Sequence, residues 1–181
     1  MVGLSIRRVS TLISACFVIA ALTTGTEPAA ALGVDAQCTG TSTWTFTPGV
    51  TLTPQTVTLT AQTTYSVCLS SDPSVVAGSE TLTLNIAGLS CTSLFRTGSG
   101  TGSITWTTAP ASNYTFSDSV VVTPETATLT RLGTVTSGTF TGDPVTRVTQ
   151  FVNSDITAAC TSPSGVTQFA GPTTLTIAGL L

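Results

Sequence analysis

The chain has 181 residues, with five arginines, no lysine, no histidine and eight acidic residues, and its net charge is −3. It is 41% hydrophobic and only 7% charged, against about 25% charged in typical domains. Charge-driven disorder is excluded, because such segments are charge-rich and apolar-poor. So is nucleic-acid binding through a basic patch, and so is every mechanism that needs an imidazole as base or metal ligand.

In chain order, residues 1–31 read as an export signal. Arg7 and Arg8 form a positive n-region, Val9 to Leu22 an apolar run, and Ala29-Ala30-Ala31 a small-residue cleavage site. A second cut fits after Ala36. The apolar run is shorter than the roughly 20 residues a membrane span needs, so a cleaved signal-peptide helix is expected, leaving a secreted, extracellular product with no membrane attachment. The alternative is lipid anchoring through Cys16, which follows Ile13-Ser14-Ala15. That cysteine lies inside the apolar run instead of at its polar edge, which disfavours the anchor.

Residues 32–181 read as a single domain of two-residue alternation. Thr39, Thr41, Thr43, Thr45 and Thr47 share one face and Trp44 and Phe46 the other. Val57, Leu59 and Ala61 alternate with Thr58 and Thr60, with Tyr65 and Val67 continuing the apolar side; Leu82, Leu84 and Ile86 alternate with Thr81, Thr83 and Asn85. Further runs are GSITW, YTFSDSVVV, ATLTRLG, TVTSGTF, TRVTQFV and TTLTIAG, separated by Gly and Pro clusters, and no stretch shows a helical period. Threonine and β-branched residues suit a pleated, half-buried surface. The expected fold is all-β: an antiparallel β-sandwich of immunoglobulin-like type or a partly open barrel, with about nine or ten short strands.

Cys38, Cys68, Cys91 and Cys160 remain after signal removal, an even set that predicts two disulfides in an oxidising compartment, with three connectivities open. A weak internal repeat, Cys68 leading into ETLTLNIAGL and Cys160 leading into PTTLTIAGL, suggests the pairs Cys38–Cys68 and Cys91–Cys160. A hairpin centred near Thr53 sets Cys38 opposite Cys68. Yet Cys68 has the parity opposite to Val57, Leu59 and Tyr65, so a face-matched bridge requires a bulge that flips the register.

Candidate functional residues are few. Hydrolytic triads and Ser-Lys pairs are ruled out by composition. Asp118, Glu125, Asp143 and Asp155 are the carboxylates left for acid-base work, and Asp72 and Asp143, each followed by proline, read as turn starters. No enzyme activity, cofactor or metal site is expected, as no ligand spacing is present. Trp44 and Trp106 are the candidates for a ligand-facing aromatic platform; their inward parity argues for core instead. The threonine rows read as a solvated sheet face.

The stretches Cys38-Thr-Gly-Thr, Trp44-Thr-Phe-Thr-Pro-Gly, Ser90-Cys91-Thr-Ser-Leu, Gly102-Ser-Ile-Thr-Trp106, Gly133-Thr-Val-Thr-Ser-Gly and Ala159-Cys160 resemble a group of small secreted actinobacterial β-proteins with four cysteines and no assigned activity. The resemblance implies an extracellular immunoglobulin-like β domain and carries no catalytic residue across. The function expected is an extracellular binding or structural module with an extracellular or envelope partner. A carbohydrate- or envelope-binding domain using exposed aromatics is the alternative, and a carboxylate-only hydrolase stands third.

Overall fold

A computed structural model of the chain describes residues 32–180; the expected signal peptide and Cys16 lie outside them. Eight strands run in sequence around a closed barrel: β1 (Leu32–Val50), β2 (Gln55–Ser70), β3 (Gly78–Leu89), β4 (Ser99–Trp106), β5 (Ser112–Val122), β6 (Thr126–Gly138), β7 (Pro144–Val152) and β8 (Val166–Leu180). Each pairs antiparallel with its neighbour and β8 closes on β1. The fold is therefore all-β, and of the two expected architectures the barrel is adopted, with every strand beside its sequence neighbour, and not the sandwich.

Eight strands replace the nine or ten expected because some glycines do not break a strand. ATLTRLG and TVTSG run together through Gly133 in β6. A Cβ there would strike the carbonyl oxygen of Thr115 on β5, so the glycine allows close backbone approach instead of a turn. The chain also forms a helix, α1 (Asn153–Cys160), that the sequence pattern does not announce. It is eight residues long and buries only Ile156, so it is held by packing and by the Cys160 tether, with no amphipathic stripe to betray it.

Alternation sets the two faces of the wall. β1 turns Ala36, Cys38, Ser42 and Phe46 inward and leaves Thr39, Thr41, Thr45 and Thr47 exposed. Cross-strand rows continue outside, as in Thr45 beside Thr60 and Thr60 beside Thr83. Among charged residues on the strands, Asp35 lies near the start of β1 and the rest (Glu80, Asp118, Arg131 and Arg147) belong to the inward set. The outer wall is thus an uncharged, hydroxyl-rich surface.

The Cys38–Cys68 bond depends on one irregularity. Thr39 pairs with Val67, but Gly40 pairs with Tyr65, so Ser66 is an extra residue on β2. This bulge reverses the parity of β2: Tyr65 and Cys68 are both buried while Val67 is 58% exposed. The expectation that Val67 continues the apolar side is thereby corrected. The half-cystines then face each other as direct cross-strand partners, with Sγ atoms 2.02 Å apart. The second disulfide joins Cys91, in a 3-10 turn (Cys91–Ser93), to Cys160 at the end of α1.

The interior has three levels. One apolar cluster gathers Tyr65, Ile104, Trp106, Tyr114, Leu175 and Ile177; the other gathers Phe46, Val57, Leu59, Leu89, Phe151 and Val166. Burial of each such large side chain contributes about 1.5–3 kcal/mol. Between the clusters lies a polar layer. Ser42 and Thr63 share a hydrogen bond of 3.0 Å and Thr149 and Thr173 one of 2.9 Å, and Glu80, Arg131 and Arg147 fill the space between them.

Asp143, in the β6–β7 turn, sits against Asp35 of β1. Partial burial, together with the adjacent Asp35 carboxyl, holds its carboxyl above the ordinary aspartate value. A group whose folded value is raised keeps its proton longer in the folded state. Its contribution is therefore favourable at low pH and is lost as pH rises from the ordinary aspartate range through the raised value. Asp143→Asn is expected to raise the melting temperature at neutral pH and to leave it nearly unchanged at about pH 3, where aspartates are largely protonated; thermal denaturation at both pH values checks this. Asp72 behaves oppositely: Ser74 donates to its Oδ1 from its hydroxyl at 2.6 Å and from its backbone N–H at 2.9 Å, holding the carboxyl below its usual range in the expected turn.

Candidate functional site: a chamber behind the β3–β4 seam

The barrel is closed, but one seam is thin. β3 and β4 share only two rungs, Gly78 with Trp106 and Ser79 with Thr105. Beyond Ser79 the strands part, so the β4-side edge of β3 has no strand partner from Glu80 onward; Leu84 is 42% exposed there. The gap leads into a chamber of about 410 Å³, within the roughly 300–1,000 Å³ of small-molecule sites. Leu59, Leu82, Leu84, Ile86, Leu89 and Phe116 make its apolar wall.

The segment from Ser90 to Gly98 crosses the gap and adds Leu94 and Arg96 to the lining. It is held from both sides. Ser93 Oγ accepts from the Ser90 backbone N–H at 3.1 Å, and Arg96 Nη2 donates to the Gly88 carbonyl at 3.1 Å and to Ser93 Oγ at 3.2 Å. The Cys91–Cys160 bond fastens the same segment to α1.

The floor of the chamber is charged. Asp118, Arg131 and Arg147 are direct cross-strand neighbours on β5, β6 and β7. That register sets two arginines opposite one another, which is unfavourable by itself. Glu80, reaching in from β3, resolves it. Its Oε1 accepts from Arg131 Nη1 at 3.1 Å and from Tyr114 Oη at 2.8 Å, and its Oε2 accepts from Arg147 Nη1 at 2.8 Å. Asp118 takes Nε and Nη2 of Arg131 at 2.8 Å each, a bidentate pair, and the Arg131 guanidinium lies 3.5 Å from the Phe116 ring centroid. Glu80, Arg131 and Arg147 are 5%, 3% and 5% exposed.

The electrostatics follow from that geometry. Burial disfavours the charged form of Arg147, but Glu80 with Tyr65 and Tyr114 outweighs it, so the guanidinium holds its proton even more tightly than usual. For Arg131 burial is likewise outweighed, here chiefly by the hydrogen bonds to Asp118. Burial pushes the Tyr114 phenol up to about 12, with Glu80 adding to the shift, and pushes Tyr65 up as well. Among the described residues, two polar atoms of this layer are buried without a partner at hydrogen-bonding geometry: the Tyr65 hydroxyl, which can donate or accept, and Arg147 Nε. The two side chains are close enough that each affects the other's protonation.

Of the carboxylates singled out by sequence, only Asp118 reaches the chamber. Glu125 is exposed in the β5–β6 turn, Asp155 is exposed in the first turn of α1, and Asp143 stands beside Asp35. Trp106 is enclosed, 3% exposed, and its Nε1 donates to Ser112 Oγ at 2.8 Å. Trp44 is half-buried, packs edge-on to Phe151 at 5.2 Å, and lines the chamber. Cys38, Cys68, Cys91 and Cys160 form the two disulfides described above.

Glu80, Arg131 and Arg147 were not among the sequence candidates, although a signal was present. Each occupies the apolar parity of its strand: Glu80 with Leu82, Arg131 with Leu129, Arg147 with Val145. In a chain this poor in charge, an ionic residue on the buried side of an alternating run marks an interior site.

No family model, curated protein or solved structure matches this chain. The class is thus defined by geometry: a disulfide-clamped antiparallel barrel enclosing an apolar chamber with a charged floor. Among the described residues, no helix is long and apolar enough to cross a membrane.

Proposed function

We propose that this protein is an exported binding module whose barrel holds a small, mainly apolar molecule in the chamber behind the β3–β4 seam. The chamber carries the reading: an apolar wall with a few convergent polar groups, opened by the loss of strand pairing, is what small-molecule sites look like. Export is supported by the N-terminal sequence and by two disulfides, which persist in oxidising compartments. Cleavage after Ala31 leaves the whole β1–β8 ladder in place, whereas cleavage after Ala36 removes its first four rungs. Binding is favoured over hydrolysis because both floor carboxylates are engaged by arginine, which leaves neither as a free base or nucleophile. Of the two candidate tryptophans, an aromatic sugar platform has only Trp44 to draw on, since Trp106 is enclosed.

The test is saturable binding of a neutral apolar dye, N-phenyl-naphthylamine, by the purified mature protein, read as dye fluorescence. Wild type is expected to bind with one-to-one stoichiometry, and Leu84→Trp, which fills the chamber from its exposed edge, to bind at least tenfold more weakly. Absence of saturable binding, or equal binding by both proteins, rejects the reading.

A further inference from the structure

We infer that the ligand of this chamber carries a carboxylate at one end of its apolar body. The inference rests on the binding reading above and deepens it. Its ground is the state of the hydrogen-bonding groups around the chamber.

Every carboxylate oxygen of the floor already accepts from an arginine or from Tyr114. Glu80 accepts three hydrogen bonds and Asp118 accepts two, all from Arg131, Arg147 and Tyr114. What remains unspent is donor capacity. Arg147 lines the chamber, its side chain is 6% exposed, and its Nε has no partner. A buried donor without an acceptor is costly, and a ligand that supplies an acceptor removes that cost. A carboxylate brings acceptors alone and a full negative charge to set against these arginines, whereas a hydroxyl brings one donor with its acceptor and no charge.

Charge points the same way. On the floor two arginines balance Glu80 and Asp118. Arg96, also on the lining, donates to two uncharged oxygens of its own segment and to the Gly88 carbonyl, and forms no ion pair among the described residues. The chamber and its mouth therefore carry one uncompensated positive charge. An amine-headed ligand meets that charge as a like charge, and an acid meets it as a counter-ion. The apolar wall formed by β2 and β3 accommodates the rest of the molecule.

The experiment is competition against N-phenyl-naphthylamine by three ligands of one chain length: lauric acid, lauryl alcohol and lauryl amine, at neutral pH. Lauric acid is expected to compete about tenfold better than the alcohol, the size of a charge-assisted hydrogen bond over a neutral one, with the amine weakest. Arg96→Gln is expected to shrink the acid-to-alcohol ratio by about two- to fivefold, as for an exposed ion pair. Arg147→Lys keeps a charge beside Glu80 but removes Nε, and is expected to weaken acid binding more than alcohol binding and so to shrink the ratio. Should Arg147→Lys fail to fold, Arg96→Gln carries the test alone, since its side chain is exposed. Equal competition by acid and alcohol, or stronger competition by the amine, overturns the carboxylate inference and leaves the chamber reading intact. Failure of the neutral dye to bind removes both.

Discussion

Glu80→Ala is expected to lower the unfolding free energy by about 3–5 kcal/mol, the cost of leaving buried charge uncompensated. Among the described residues, Glu80 alone forms ion pairs with both interior arginines, through separate oxygens. Without it, Arg131 and Arg147 remain adjacent on neighbouring strands with like charge, and Tyr114 loses the acceptor for its hydroxyl. Glu80→Gln keeps the shape but not the charge and is expected to lose most of the same amount. Against a typical total of about 5–15 kcal/mol, either variant is marginal. A combined variant separates fold from charge: Glu80→Leu, Tyr114→Phe, Asp118→Asn, Arg131→Met and Arg147→Leu together. Removing the whole ionic layer is expected to be neutral or stabilising, because the desolvation of all its members disappears with it. Urea denaturation followed by tryptophan fluorescence measures both, and a combined variant weaker than Glu80→Ala alone refutes this view of the layer.

Loss of the disulfides is the second large effect. For sequence separations of 30 and 69 residues, chain entropy gives about 3.6 and 4.4 kcal/mol respectively. Cys38→Ala with Cys68→Ala, and Cys91→Ser with Cys160→Ser, are therefore expected to destabilise the barrel by similar amounts in urea. They should differ in binding. Cys38–Cys68 is a rung of the wall, whereas Cys91–Cys160 holds the segment that contributes Leu94 and Arg96 to the chamber. Dye dissociation, followed by stopped-flow fluorescence under conditions where both variants are folded, is expected to quicken only when Cys91 and Cys160 are replaced. Equal dissociation rates would separate the covering segment from retention of the ligand.

The site follows from an interplay of register and composition. Asp118, Arg131 and Arg147 are brought into one row by pairing of β5, β6 and β7, and the sequence separations between them say nothing of that. Their parity, by contrast, was open to inspection. Arg131 alternates in phase with Ala127 and Leu129, and Glu80 in phase with Leu82, so each belongs to the buried face of its strand. Only the meeting of Glu80 with arginines 51 and 67 residues away required the barrel to close.

The alternation of threonine with apolar residues determined an all-β chain with one wet face per strand, because a two-residue period admits no other placement of side chains. Even cysteine number and an apolar, arginine-led N-terminus pointed to export by chemistry that is local in the chain. Closure was decided elsewhere. A barrel and a sandwich share the same strand pattern and differ in which edges meet, a matter of twist and register summed over the whole sheet. The β2 bulge, the thin β3–β4 seam and the chamber behind it likewise belong to tertiary structure, since each arises from the geometry of two strands and not from the sequence of one. Helix α1 belongs with them: eight residues with a single buried side chain carry no period, and packing together with the Cys160 tether selected their conformation.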